Sequence, residues 1–133
     1  MLKYTSEINT HDLSINLISG GGSSLLCLPH DDISLNDKVL VNNLLLKCGA
    51  NINEINTIRK HLSKIKGGRL SEHVYPSKSI SLIISDVIND DISTIASGPT
   101  SSDHTTYSDA IDIIHRYKIE KEIPENVMDL LKR

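Results

Sequence analysis

The chain has 133 residues, a formal net charge of −3, two cysteines, four tyrosines and neither Phe nor Trp. That length fits one small domain with a single aliphatic core. The acidic balance argues against a nucleic-acid or membrane-surface protein, both of which normally show a basic excess, and no stretch is long and apolar enough to cross a bilayer.

Cys27 and Cys48 stand in no metal-type spacing and read as reduced structural thiols. The first residues carry no apolar core of the signal-peptide kind, so a cytoplasmic protein is expected. Residues 1 to 12 are polar and without period, a lead-in holding at most one helical turn. Leu13 to Ser19 predicts a buried strand, with Leu13, Ile15 and Leu17 on one face and Ile18 on the other. Gly20, Gly21, Gly22, Ser23 and Ser24 follow it directly. Ser34-Leu-Asn-Asp37 has the form of a capping box and opens a helix with Val39, Leu40, Leu44 and Leu46 as its apolar residues, stopped at Gly49.

A second helix is expected over about 53 to 66. Ile55, Ile58, Leu62 and Ile65 form its apolar stripe, and Asn56, Arg59, Ser63 and Lys66 line up beside that stripe. Lys60, Lys64 and His61 fall elsewhere and read as solvated. Gly67-Gly68 ends this helix, and a short one from Arg69 to Tyr75 closes at Pro76. Ser79 to Ser85 predicts the second strand, followed by the turn-rich segment from Asp86 to Thr100. Thr105 or Thr106 caps a helix to about Tyr117, with Ala110, Ile111, Ile113 and Ile114 apolar. Pro124 begins a last helix carrying Val127, Met128, Leu130 and Leu131. Helices rather than hairpin turns separate the strands, which favours an α/β chain with a parallel sheet. Two strands are too few for a complete doubly wound domain, so the chain reads as part of something larger.

Ligands of open α/β sheets sit outside the carboxyl ends of the strands, and two loops here fall at such ends. Gly20 to Ser24 lets a backbone approach an anion closely, or is simply a tight turn; it is neither a Walker A loop nor G-x-G-x-x-G. Arg59, Lys66 and Arg69, flanking Gly67 and Gly68, suit a phosphate or merely complement a helix end. Asp86, Asp90 and Asp91, with Asp103 beyond, are hard oxygen ligands suited to Mg²⁺, although Asp is also a good turn residue. Asp86 weighs most, because it lies directly past an apolar strand. The six histidines show no metal spacing, and the G-x-S-x-G elbow of hydrolases is absent.

Three segments together resemble the class II glycerate kinases, the MOFRL family whose members are often labelled hydroxypyruvate reductase: Leu17-Ile-Ser-Gly-Gly-Gly-Ser-Ser-Leu25, Asn56-Thr-Ile-Arg-Lys-His-Leu-Ser-Lys-Ile-Lys-Gly-Gly-Arg-Leu70 and Ser85-Asp-Val-Ile-Asn-Asp-Asp-Ile-Ser-Thr-Ile-Ala-Ser-Gly-Pro-Thr100. The resemblance implies a Rossmann-like α/β fold and transfer of the ATP γ-phosphate to D-glycerate with Mg²⁺. It makes Gly20, Gly21, Gly22, Ser23 and Ser24, with Gly67 and Gly68, the expected nucleotide or substrate cradle. It makes Asp86, Arg59 and Lys66 the expected catalytic residues and Asp86, Asp90 and Asp91 the expected metal ligands. The family's upstream glycine-lysine motif and its MOFRL domain have no counterpart here. Residues 1 to 133 are therefore expected to be the central and C-terminal part of the family's N-terminal domain, an incomplete piece without turnover of its own unless a split enzyme supplies the rest. Two rival readings are an NAD(P)H-dependent hydroxypyruvate reductase, which lacks its dinucleotide fingerprint here, and a non-catalytic remnant or interaction module that self-associates through its sheet edge.

Overall fold

A computed structural model of the chain describes residues 2–133. In place of a single core, the chain sorts into two units: residues up to Cys27 with Ile65–Asp103, and Leu28–Lys64 with His104–Arg133. The aliphatic residues account for the split. All sixteen residues of the main apolar cluster, from Ile33 to Leu131, fall within the second unit.

The first unit holds α1 (Leu2–Thr5), β1 (Leu13–Ser19), α2 (Gly22–Leu25), α3 (Arg69–Val74) and β2 (Lys78–Ile84). β1 and β2 pair in parallel, with Ile15 opposite Ile80 and Leu17 opposite Leu82, as the helix-separated pattern requires. The mixed α/β architecture with a parallel sheet thus agrees with the expected fold class. The expectation that β1 is buried does not hold. Leu13, Ile15 and Leu17 are exposed, Leu17 at 78%. Its partner strand behaves alike, with Ile80, Leu82 and Ile84 exposed. The opposite face is half-buried and partly polar: Asn16 Nδ2 donates to Ser79 Oγ at 2.9 Å, and Ser81 Oγ to Thr100 Oγ1 at 2.8 Å. The alternation was read correctly, but among the described residues no element covers the apolar side of these strands.

The second unit is helical: α4 (Leu35–Lys47), α5 (Ile52–His61), α6 (Tyr107–Tyr117) and α7 (Glu125–Leu131). Ser34 and Asp37 form the expected capping box on α4. The buried side of α4 is Val41, Leu44 and Leu45, however, whereas Val39, Leu40 and Leu46 face outward. Asn51 and Glu54 form a second capping box at α5, and Thr106 with Asp109 a third at α6. Ile55, Ile58 and Leu62 are buried as expected, and so are Ala110, Ile113, Ile114 and the α7 residues Val127, Met128, Leu130 and Leu131.

Helix α5 ends at His61, five residues before the expected stop. The cause lies at Ser63 and Lys64, which leave the helix to meet residues 28–29. Ser63 bridges Pro29 in antiparallel fashion and Lys64 N donates to Leu28 O at 2.9 Å. Glu54 is the electrostatic hub of this unit. It accepts from Asn51 N and from Tyr117 Oη at 2.9 and 2.7 Å, and it pairs with Arg116 Nη1.

Candidate functional site

Parallel pairing brings the ends of β1 and β2 together, Ser19 opposite Ile84, so the loops after them start side by side. Gly20 is where this becomes critical. A Cβ placed on Gly20 would lie 1.7 Å from Asp86 Oδ2, so the absence of a side chain at Gly20 is what admits the Asp86 carboxylate. Gly21 is exposed and would meet nothing within 4 Å; Gly22 begins the single turn of α2. The two strand-end loops, separated by more than sixty residues of sequence, therefore meet at Gly20 and Asp86.

Beneath the glycine turn lies Lys66, only 3% exposed. Its Nζ donates to Ser23 O at 2.8 Å and to Ser23 Oγ at 3.0 Å, and it reaches Ser97 Oγ at 3.4 Å and Ala96 O at 3.5 Å. Ser23 Oγ and Ser97 Oγ are themselves 3.1 Å apart. A buried ammonium needs such oxygens to offset its lost hydration. Lys66 thus ties the turn after β1 to the turn Ile95–Ser97. Backbone bonds stitch residues 67–70, just after Lys66, to residues 97–99: Gly67 N to Ser97 O, Gly68 N to Gly98 O at 2.8 Å and Leu70 N to Pro99 O at 3.0 Å. Gly68 has φ +82°, and a Cβ there would sit 2.9 Å from Ser101 O.

Ala96, Ser97 and Gly98 all have φ between +52° and +64°. Two of the three are not glycine, and such left-handed residues cost on the order of 1–3 kcal/mol each. The bonds from Lys66, Gly67 and Gly68 hold this turn in place. Ser97, 1% exposed, was not singled out from the sequence, where only the adjoining Gly-Pro corner hinted at a special turn.

The acidic residues divide. Asp86 is exposed beside Gly20, and Asp90 is exposed with φ +52°. Asp91 serves its own loop: Oδ1 accepts from Ser93 N and Oγ at 2.9 and 2.7 Å, and Oδ2 from Thr94 Oγ1 at 2.9 Å. Asp103 lies over Gly67, its Oδ2 2.9 Å from where a Cβ would stand. Among the described residues no group of three or more His, Cys, Asp or Glu is arranged to hold a metal ion.

Arg59 belongs to the second unit, where Nε donates to Asn42 Oδ1 at 2.9 Å and Nη2 shares the same oxygen. Burial lowers its pKa from the ordinary guanidinium value. Lys60 and His61, read as solvated, are in fact buried, at 7% and 3% exposure. His61 Nε2 stands 3.2 Å from Thr105 Oγ1, and its ring lies 4.6 Å from that of Tyr107. Helical spacing missed them because α5 is enclosed beyond its apolar stripe. Lys64 does reach the surface, bonded to Asp31 at 2.8 Å.

Beside α2 lies a mainly apolar cleft of about 420 Å³, lined in part by Leu17, Ile18, Leu25, Leu26 and Pro99. It shares Gly22 with the turn but not Asp86.

Over residues 1–132 the chain matches the family described as a domain of unknown function, DUF4147. A glycerate 2-kinase of Pyrococcus horikoshii is 49% identical over 126 residues, covering 95% of this chain and 28% of that protein. A putative hydroxypyruvate reductase of Agrobacterium vitis is 55% identical over 120 residues, covering 90% of this chain and 27% of the relative. The crystal structure of a Thermotoga maritima glycerate kinase superposes with a TM-score of 0.92 at 44% identity, over 98% of this chain and 31% of that one. This chain spans under a third of the length of each.

Proposed function

Since this chain belongs to the DUF4147 family, we propose that it forms part of an ATP-dependent glycerate 2-kinase, in which its first unit carries an anion-binding turn and a catalytic carboxylate. One observation carries the reading: the Asp86 carboxylate rests against Gly20 where two parallel strands end. Phosphoryl transfer is served mainly by positioning and by neutralising charge, and strand-end loops are where such groups gather. Gly20 to Ser24 presents the backbone toward the anion. Asp86 orients or deprotonates the attacking hydroxyl of D-glycerate, or ligates Mg²⁺. The donor set fits that ion modestly, since Mg²⁺ needs only one or two carboxylates when phosphates complete its shell; Asp86 and Asp90, both exposed, would hold it. The ion would supply charge neutralisation on the transferred phosphoryl group. Lys66 acts through the turn it braces.

The reading is tested by splicing this chain into the Thermotoga maritima D-glycerate 2-kinase in place of the matched 120 residues and following ADP release with D-glycerate. Turnover is expected, and Gly20→Ala, which displaces Asp86, should lower kcat by about 100-fold, the cost typical of a misplacement near 1 Å. A folded spliced protein without turnover would refute the proposal. The chain by itself should show none: a rate above about 1 per second, within the ordinary kinase range, would contradict that expectation. The name of the Agrobacterium vitis relative favours a second reading, a nicotinamide-dependent reductase. Saturable quenching of NADH fluorescence by the spliced protein would support it.

A further inference from the structure

We infer that the bare apolar face of the β1–β2 sheet is a docking surface for polypeptide homologous to the remaining two-thirds of the relatives' chains. The face consists of Leu13, Ile15, Leu17, Ile80, Leu82 and Ile84, all exposed, with Leu17 at 78% and Ile84 at 75%. The register sets Ile15 beside Ile80 and Leu17 beside Leu82, so the six side chains form one continuous aliphatic patch. Its one charge is Lys78, opposite Leu13 at the end where both strands begin. Parallel sheets are normally covered on both faces, and a two-stranded sheet is not stable by itself in water. Here the more apolar face is the bare one: the half-buried face mixes Ser14, Asn16 and Ser81 with Ile18 and Ile83, while the other six Ile and Leu residues stand in solvent. A strand that spends its aliphatic residues on a bare face is built to be covered.

The occupant follows from the relatives. The Thermotoga maritima glycerate kinase reproduces 98% of this chain's fold, yet that accounts for only 31% of its own length. The same two strands there belong to a chain with more than twice as much additional polypeptide. In that relative the additional polypeptide belongs to the same chain as these strands, which favours the homologous remainder over a second copy as the occupant. The inference concerns assembly and stands apart from the chemistry proposed above.

The test compares one substitution pair in two settings. Leu17→Lys with Leu82→Glu, made in the isolated chain, should leave its unfolding midpoint unchanged and reduce binding of a hydrophobic dye by about half, since only solvent-facing side chains are altered. In the protein spliced into the Thermotoga maritima kinase, the same pair should cut soluble yield at least about ten-fold, because a Lys–Glu pair would be buried in place of aliphatic contacts, and the desolvation of two charges outweighs their attraction. Equal tolerance in both settings overturns the inference. Equal damage in both overturns it too, by placing the cover within this chain. An isolated chain that sediments as a dimer, and becomes a monomer on substitution, would make a second copy the occupant instead. Should the unsubstituted spliced protein fail to fold, the chain is co-expressed with that kinase's two flanking segments: a one-to-one complex lost on substitution upholds the inference, and no complex overturns it. A spliced protein that is well folded, sensitive to the pair and inactive would uphold docking while refuting the kinase.

Discussion

At the scale of single residues, Lys66 and Asp86 show how position assigns different work to charges that look alike in sequence. Lys66 stood beside an apolar stripe and suited a phosphate; the structure surrounds its Nζ with Ser23, Ala96 and Ser97 oxygens. Lys66→Met keeps most of the volume but leaves Ser23 O and Ala96 O without their donor. A buried group left unsatisfied costs roughly 1–3 kcal/mol, so the chain should lose about 2–3 kcal/mol in urea unfolding. An unchanged midpoint would mean the ammonium contributes nothing net to the turn. Glu54 gives the corresponding case for pH. The Asn51 backbone N–H, then the Tyr117 hydroxyl and the Arg116 charge, hold its carboxyl below the ordinary value of 4.5. Because the folded value is depressed, the stabilisation is fully present above the unfolded pKa and is lost as pH falls through the folded one. Unfolding midpoints measured from pH 6 down to pH 3 should therefore drop below about 4.5, and Glu54→Gln should flatten that part of the curve.

At the scale of elements, what could be read from the sequence was whatever local chemistry decides. The Ser34–Asp37 box, the Thr106 cap and the apolar stripe of α6 need only residues within one or two turns, and each appears where expected. Thr106→Ala removes the acceptor for Asp109 N and the hydroxyl bonded to Asp109 Oδ2, so it should destabilise the second unit by about 1 kcal/mol. Loss of less than a few tenths in a urea titration would show that water replaces the cap without cost. What could not be read depends on distant partners. Helix α5 stops early because residues 28–29 capture Ser63 and Lys64, and His61 is buried against residues more than forty positions away. The meeting of Gly20 with Asp86 was legible as two strand ends in a parallel sheet, although not which glycine would make the contact. The burial of β1 was misread because alternation tells which face of a strand is apolar and not whether another element lies on that face.

At the scale of the whole molecule, the uneven distribution of apolar burial predicts uneven stability. The second unit buries Val41, Leu45, Ile58, Ile114, Val127 and Leu131 almost completely, and side chains of that size contribute about 1.5–3 kcal/mol each when fully buried. The first unit buries far less: among its described apolar residues only Ile65, Leu70, Val74, Ile95, Ala96 and Pro99 are buried, while six Ile and Leu residues of its sheet remain in water. A chain that passes between two such units need not unfold in one step. Amide exchange reads the difference directly, since each amide opens with the free energy of its own cooperative segment. The strand amides of Ile15, Leu17, Ile80 and Leu82 should exchange at least about 100-fold faster than the helical amides of Leu45, Ile58 and Ile114, a gap of roughly 3 kcal/mol in opening free energy. Addition of polypeptide that covers the sheet should close this gap by slowing the strand amides, with the helical ones left nearly as they were. Uniform protection across both units in the isolated chain would instead show that the two-stranded sheet is stable without cover.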